Sequence, residues 1–246
     1  MSDKYASGQV SENALFTDLG LLDYQAAYAL QSRLADLRKE GGLARDLFLM
    51  VEHPRVFTLG RRGGRENLTV SEAFLAAEEV PVIQVERGGN ITYHGPGQVV
   101  LYPIIDLEAA RLSVTDYVDS LEEAMIRVCG EHGVPAERNE KNPGIWVGAR
   151  KLGSVGIALR HGVSYHGLAL NVNLSLIPFG WINPCGMAGV SMTSMATERT
   201  APLEMAAVKN SLKGHLSDIF GVAFEDTPAG ALPAQPPADP RKTAGE

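Results

Sequence analysis

The sequence predicts an α+β fold. Two long amphipathic segments, Asp23 to Arg38 and Thr115 to Glu131, read as helices. Between and after them stand several short apolar runs bounded by Gly, Pro and Asn, the pattern of strands. Strand and helix signals do not alternate regularly, so a doubly wound parallel sheet is disfavoured.

The elements follow in order. Leu30, Leu34 and Leu37 recur at helical spacing in the first helix, which Gly41-Gly42 stops. Leu47 to Val51 and Val56 to Leu59 read as strands on either side of a His53-Pro54 turn. Ser71 to Glu79 is a short helix with Ser71 as its N-cap. Val82 to Glu86 and Val99 to Ile105 are strand-like, separated by the polar, glycine-rich stretch Arg87 to Gln98. The second long helix carries Val118, Leu121, Met125 and Val128 on one side, and Cys129 beside that stripe reads as an inert core residue. Strands are expected at Ile145 to Val147, Lys151 to Leu159 and Tyr165 to Val172, the first two joined by a reversal at Gly148-Ala149-Arg150. A last helix should begin near Pro202, a favourable first-turn residue, and run to Phe220. Residues 1–226 form one expected domain. The Ala/Pro-rich residues 227–246 are expected to be a flexible tail, because little there repays the entropy of ordering.

Composition narrows the functional classes. The chain has 246 residues, is 45% hydrophobic and carries a net charge of −7, which argues against a general nucleic-acid binder. No apolar run is long enough for a membrane span, the N-terminus lacks a secretory core, and two cysteines build no disulfide framework. A reducing cytoplasmic location is the plain reading. Arg61, Arg62 and Arg65 form a local basic cluster suited to an acidic partner, and Arg150-Lys151 form a second one.

Three places could carry chemistry. The stretch Arg87-Gly88-Gly89-Asn90-Ile91-Thr92-Tyr93-His94-Gly95-Pro96-Gly97-Gln98 concentrates conformationally permissive glycines around side chains that could line a pocket. Pro96-Gly97 suits the centre of a type II turn. The segment matches neither known phosphate-loop pattern, and the closest histidines, His161 and His166, are poorly spaced for zinc. Cys185, between Pro184 and Gly186, is a thiol on turn-prone backbone, as a nucleophile requires. A nearby cation or base would activate it: His94, His166, or a lysine whose setting suits proton transfer. Lys151 is the attractive lysine, because the small-residue run Leu152-Gly153-Ser154-Val155-Gly156 lets substrate pass close to its strand.

These blocks, together with Tyr165-His166-Gly167-Leu168-Ala169-Leu170-Asn171-Val172-Asn173 and Asn183-Pro184-Cys185-Gly186, resemble the lipoyl-protein octanoyltransferases of the LipB type. The resemblance spans about residues 15 to 220. It implies a mixed β-sheet flanked by helices, similar to the biotin and lipoate protein ligase catalytic domain. It further implies transfer of an octanoyl group from octanoyl-acyl carrier protein to one lysine of a lipoyl domain, with no cofactor. The acceptors would be lipoyl domains of 2-oxoacid dehydrogenase E2 subunits and the glycine cleavage H protein. By the same resemblance, Cys185 carries the acyl group as a thioester, and Lys151 lowers the pKa of the thiol and shuttles protons. Arg87, Gly88, Gly89, Asn90, Ile91, Thr92, Tyr93, His94, Ser154, Val155, Gly156, Gly167, Leu168 and Ala169 would enclose the acyl chain.

Two rivals share these features. An ATP-dependent lipoate ligase has the same fold and also uses a lysine, but has no need of a nucleophilic cysteine. A non-catalytic binder of lipoyl domains or acyl carriers would have no need of either residue.

Overall fold

Residues 13–139, 142–183 and 190–233 are described by a computed structural model. The elements run β1 (Asn13–Leu21), α1 (Tyr24–Glu40), β2 (Leu47–Glu52), β3 (Val56–Leu59), α2 (Glu72–Ala77), β4 (Val82–Gln84), β5 (Ile91–His94) and β6 (Gln98–Ile104). After them come α3 (Val114–Glu131), β7 (Glu137–Arg138), β8 (Ile145–Val147), β9 (Arg150–Arg160) and β10 (Val163–Asn171). The described chain ends with β11 (Ser191–Met192), α4 (Met195–Arg199), α5 (Met205–Phe220) and β12 (Ala223–Asp226).

One large sheet has the order β12-β1-β2-β6-β10-β9-β8-β7, with β11 beside β9, and a small sheet has the order β4-β3-β5. The large sheet is mixed. β1 is parallel to β2 and β12, whereas β2, β6, β10, β9 and β8 are successively antiparallel. Both faces are covered, which explains why its central strands are continuous apolar runs instead of alternating ones. On β2, Phe48 and Met50 face the cluster made with α3 and α5, while Leu47, Leu49 and Val51 face the one under α1. Cys129 is fully buried in the first cluster, and burial pushes its thiol up to about 12. The expectation of an inert core cysteine holds.

Local signals fix the helix ends. Asp23, Ser71 and Ser113 each accept a backbone N–H from the first turn of α1, α2 and α3, and Gly41 ends α1 at φ +81°. Among the described residues no helix is long and apolar enough to cross a membrane.

Four expectations need correction. Residues 91–94, read as part of a loop, form β5, which pairs along its length with β3. β2 and β3, read as neighbours across a turn, belong to different sheets. The last helix starts at Met205, not near Pro202, because the Asn173 side chain clamps the backbone of Leu203 through both its N–H and its carbonyl. The boundary at residue 227 falls too early. Thr227 N–H donates to Phe16 O at 2.8 Å, Thr17 Oγ1 donates to Thr227 O, and Leu232 is buried in the cluster under α1.

Candidate functional site

β9 carries the central residue. Lys151 is only 3% exposed, and its Nζ donates to Asn142 Oδ1 at 3.0 Å and to Pro143 O at 2.8 Å. Nζ also lies 5.4 Å from the centre of the Trp146 ring, on the paired strand β8. Gly144 makes this passage possible. At φ +115°, a Cβ there would stand 2.3 Å from Gly153 O and 3.0 Å from Lys151 Cε. The carboxylate of Glu122, from α3, holds the same turn by accepting Gly144 N–H at 2.6 Å.

The glycine loop lies across β9. Gly88 N–H donates to Ile157 O at 2.8 Å, and Gly156 leaves room for the Arg87 stem, since a Cβ there would meet Arg87 Cδ at 3.3 Å. The small-residue run after Lys151 therefore admits the loop as well as any ligand. Arg87 is buried, and its guanidinium donates to Thr58 O at 2.7 Å, Thr58 Oγ1 at 2.8 Å and Gly88 O at 3.0 Å. Those bonds tie the loop to the small sheet.

Beneath the loop a chain of hydrogen bonds orients His94. Gln98 Nε2 donates to Asn171 Oδ1 at 2.9 Å, so Gln98 Oε1 is the acceptor of the 2.7 Å contact with His94 Nδ1. His94 therefore carries its proton on Nδ1, and burial holds its pKa well below the ordinary value. His53 donates from Nδ1 to Leu22 O and accepts from Tyr102 at 2.7 Å, and burial takes its pKa down to about 4. His166 is likewise brought down to about 3 by burial. All three are neutral at neutral pH, so neither His94 nor His166 supplies the cation considered as a thiol partner.

These elements enclose a cavity of about 590 Å³, a size typical of small-ligand sites. It brings together Lys151, Arg87, Gly88, Gly89, Asn90, Ile91, Thr92, His94, Ser154, Val155, Gly156, Gly167, Leu168 and Ala169. Tyr93 is not among the lining residues. The two-residue repeat of β5 turns it the other way, into the small-sheet core against Phe57 and Phe179. Cys185 lies outside the described residues. The flanking chain is described: Asn183 N–H donates to Asn67 O at 2.8 Å, and Ser191 and Met192 pair with Arg150 and Lys151.

Sequence reasoning missed Tyr24, Tyr102, Val100, Val118, Ile157, Asn142 and Pro143, all of which line the cavity. Asn142-Pro143-Gly144 is a turn signal that could have been found. The aromatic and aliphatic wall residues look like ordinary core. The basic cluster is partly neutralised: Arg65 pairs with Glu72, while Arg62 is exposed and lines the cavity. Arg150 is held by Glu198 at 2.8 Å. Among the described residues no group of His, Cys, Asp and Glu side chains converges to hold a metal ion.

This mixed sheet, with a glycine loop over a buried lysine, is matched from residue 23 to residue 217 by the lipoyl protein ligase A/B catalytic domain, and the chain belongs to that family. Its sequence stands with the octanoyltransferases. One from Desulfotalea psychrophila is 50% identical over 210 residues, covering 85% of this chain and 94% of the relative. Another, from Syntrophobacter fumaroxidans, is 46% identical over 207 residues, covering 84% and 90%. The fold is also that of a bipartite lipoate protein ligase from Thermoplasma acidophilum, at a TM-score of 0.71 and 15% identity, covering 89% of this chain and 88% of that one.

Proposed function

We propose that the protein transfers an octanoyl group from octanoyl-acyl carrier protein to a lysine of a lipoyl domain through a thioester on Cys185. The observation that carries the reading is Lys151: a buried amine, aimed by two neutral oxygens, in the wall of a cavity covered by the glycine loop. Desolvated lysines in such settings take part in proton transfer.

In the first step the Cys185 thiolate attacks the carrier thioester. A new C–S bond forms, the old one breaks, and Lys151, having taken the proton of the Cys185 thiol, gives it to the departing carrier thiolate. In the second step the acceptor amine attacks the acyl-enzyme. An amide forms, Cys185 leaves as thiolate, and Lys151 takes the proton lost by the amine. One thioester is exchanged for another before the amide forms, so no ATP is consumed. Arg87 to His94 without Tyr93, and the walls at Ser154-Val155-Gly156 and Gly167-Leu168-Ala169, would hold the acyl chain. E2 lipoyl domains and the glycine cleavage H protein are the proposed acceptors, in the cytoplasm.

Mass spectrometry after mixing with octanoyl-carrier protein, without ATP, tests the mechanism. An octanoyl adduct is expected on Cys185 and none in Cys185→Ala. Full turnover by Cys185→Ala, or activity only from free octanoate with ATP, would sink the thioester route.

A further inference from the structure

One peptide group separates a buried carboxylate from the amine of Lys151. Pro143 O accepts from Lys151 Nζ at 2.8 Å, and the N–H of the same peptide, on Gly144, donates to Glu122 Oε1 at 2.6 Å. The bond is trans, so its carbonyl and its N–H point to opposite sides. Carboxylate, peptide and amine therefore stand in a row, with Oε1 and Nζ no more than about 8 Å apart.

Holding the turn does not by itself account for a charge at this position. Among the described residues of α3, Glu122 is the one charged side chain that the helix buries. A neutral amide would accept the Gly144 N–H without the cost of burying a carboxylate. Burial raises the Glu122 carboxyl; the Gly144 N–H, Arg138 and Lys151 pull it back, while Asp119 adds to the rise. Its second oxygen meets Arg138 Nε, from β7, at 3.3 Å, so both oxygens face donors as in an ionised carboxylate. Arg138 is partly exposed and also donates to Asp119 O and Glu123 Oε2, each at 2.9 Å. The other charged or titratable groups in the cavity wall with Lys151 are Arg62 and Arg87, together with His94, His166, Tyr24 and Tyr102. Burial keeps the two histidines and the two tyrosines neutral at neutral pH.

We infer that Glu122 is a positioning residue whose charge, carried along the Pro143-Gly144 peptide, sets how readily Lys151 releases its proton. The consequence for turnover rests on the acyl-transfer reading above. A carboxylate on the N–H polarises the peptide and makes Pro143 O a stronger acceptor, which favours the ammonium form. The same charge favours the ammonium directly through space. Arg138 opposes it, and acts more weakly because it is better solvated. Lys151 must be neutral to take the proton of the acceptor amine, so this balance fixes the pH at which the second step begins.

The test follows the NMR shift of the Lys151 ε-carbon against pH in lysine-labelled protein, the signal being assigned by its loss in Lys151→Arg. Glu122→Gln keeps an acceptor for the Gly144 N–H and should lower the Lys151 pKa by about one unit. Arg138→Gln should move it the other way, by roughly a few tenths of a unit. Single-turnover transfer from octanoyl-loaded enzyme to a lipoyl domain should show its rise with pH displaced in the same two directions. A turn that is merely loosened does not produce shifts of opposite sign. An unmoved pKa in both variants, or shifts in one direction, overturns the inference. So does a Glu122→Gln protein with lowered kcat and an unmoved pKa, which would make the carboxylate only structural. If Glu122→Gln fails to fold, Arg138→Gln decides alone: a raised pKa supports the inference and any other result overturns it. Wild-type protein that transfers no octanoyl group overturns the acyl-transfer reading instead, and the lysine titration still judges Glu122.

Discussion

Asn142 Oδ1 accepts from Lys151 Nζ at 3.0 Å, so the lysine is aimed from the turn before β8. An amide oxygen accepts from an amine in either protonation state, so it orients Nζ without fixing its charge. Asn142→Ala should lower kcat by about 10- to 100-fold with an intact fold, and Lys151→Ala by more, within the ~10²–10⁴ range of lost acid–base catalysis. Steady-state kinetics beside circular dichroism checks both. In Lys151→Ala the rate of Cys185 alkylation should also shift to higher pH. An unchanged profile would remove the lysine from thiol activation.

Gly144 and Gly148 both have positive φ, at +115° and +56°, yet only Gly144 is crowded. Among the described residues a methyl on Gly148 meets nothing within 4 Å, whereas one on Gly144 collides with Gly153 O and Lys151 Cε. Gly148→Ala should cost about 1 kcal/mol, the ordinary penalty of a left-handed alanine. Gly144→Ala should cost more than about 2 kcal/mol and abolish turnover, because relief of the clash displaces Lys151. Melting temperature and activity of the pair separate the two effects.

Much of this was legible in the sequence, and the misses have physical causes. The helices were marked by caps and stripes, as at Asp23 and Ser113, and the central strands by apolar runs. β1 was overlooked because its burial does not alternate cleanly around Asp18 and Gly20, and β12 because its few residues are mostly exposed. Both depend on tertiary pairing with each other. Within the site, the glycine loop announced itself by composition. Sequence could not tell that β5 runs through it, and so could not tell that Tyr93 faces away from His94. Nor could it reveal that His166 would take a left-handed backbone.

Acid should weaken the fold earlier than carboxylate titration alone implies. His53 and His166 have folded values near 4 and 3, and His94 is also depressed, all by burial. The unfolded chain binds a proton on each near pH 6.5, where the native state does not. Stability is therefore unaffected above about pH 6.5 and falls as pH drops towards the folded values, by up to ~1.4 kcal/mol per unit per histidine. Asp46 and Glu122, raised by burial, act in the opposite sense, but only nearer about pH 4, where carboxyls titrate. The urea midpoint should drop steeply between about pH 6.5 and 5, and His53→Gln should flatten the slope. A flat midpoint across that window would mean that the histidines are not held neutral.

Arg62 lines the cavity and is exposed, whereas Arg65 is already paired with Glu72. An acidic carrier protein presenting its acyl arm to the cavity would meet Arg62 first, although the chain as a whole is acidic at −7. Exposed charges act over a Debye length, about 10 Å at 0.1 M salt, and chiefly through encounter rate. Arg62→Glu should therefore lower kcat/KM for the carrier-borne donor about tenfold at low salt and progressively less as salt rises. Activity with a small octanoyl thioester that lacks the carrier separates docking from damage to the cavity, so the informative quantity is the ratio of the two donors. Arg65→Glu should change that ratio less, because it disrupts an existing pair without removing a cation from the cavity edge. Equal ratios in wild type and Arg62→Glu would return the arginine to ordinary surface.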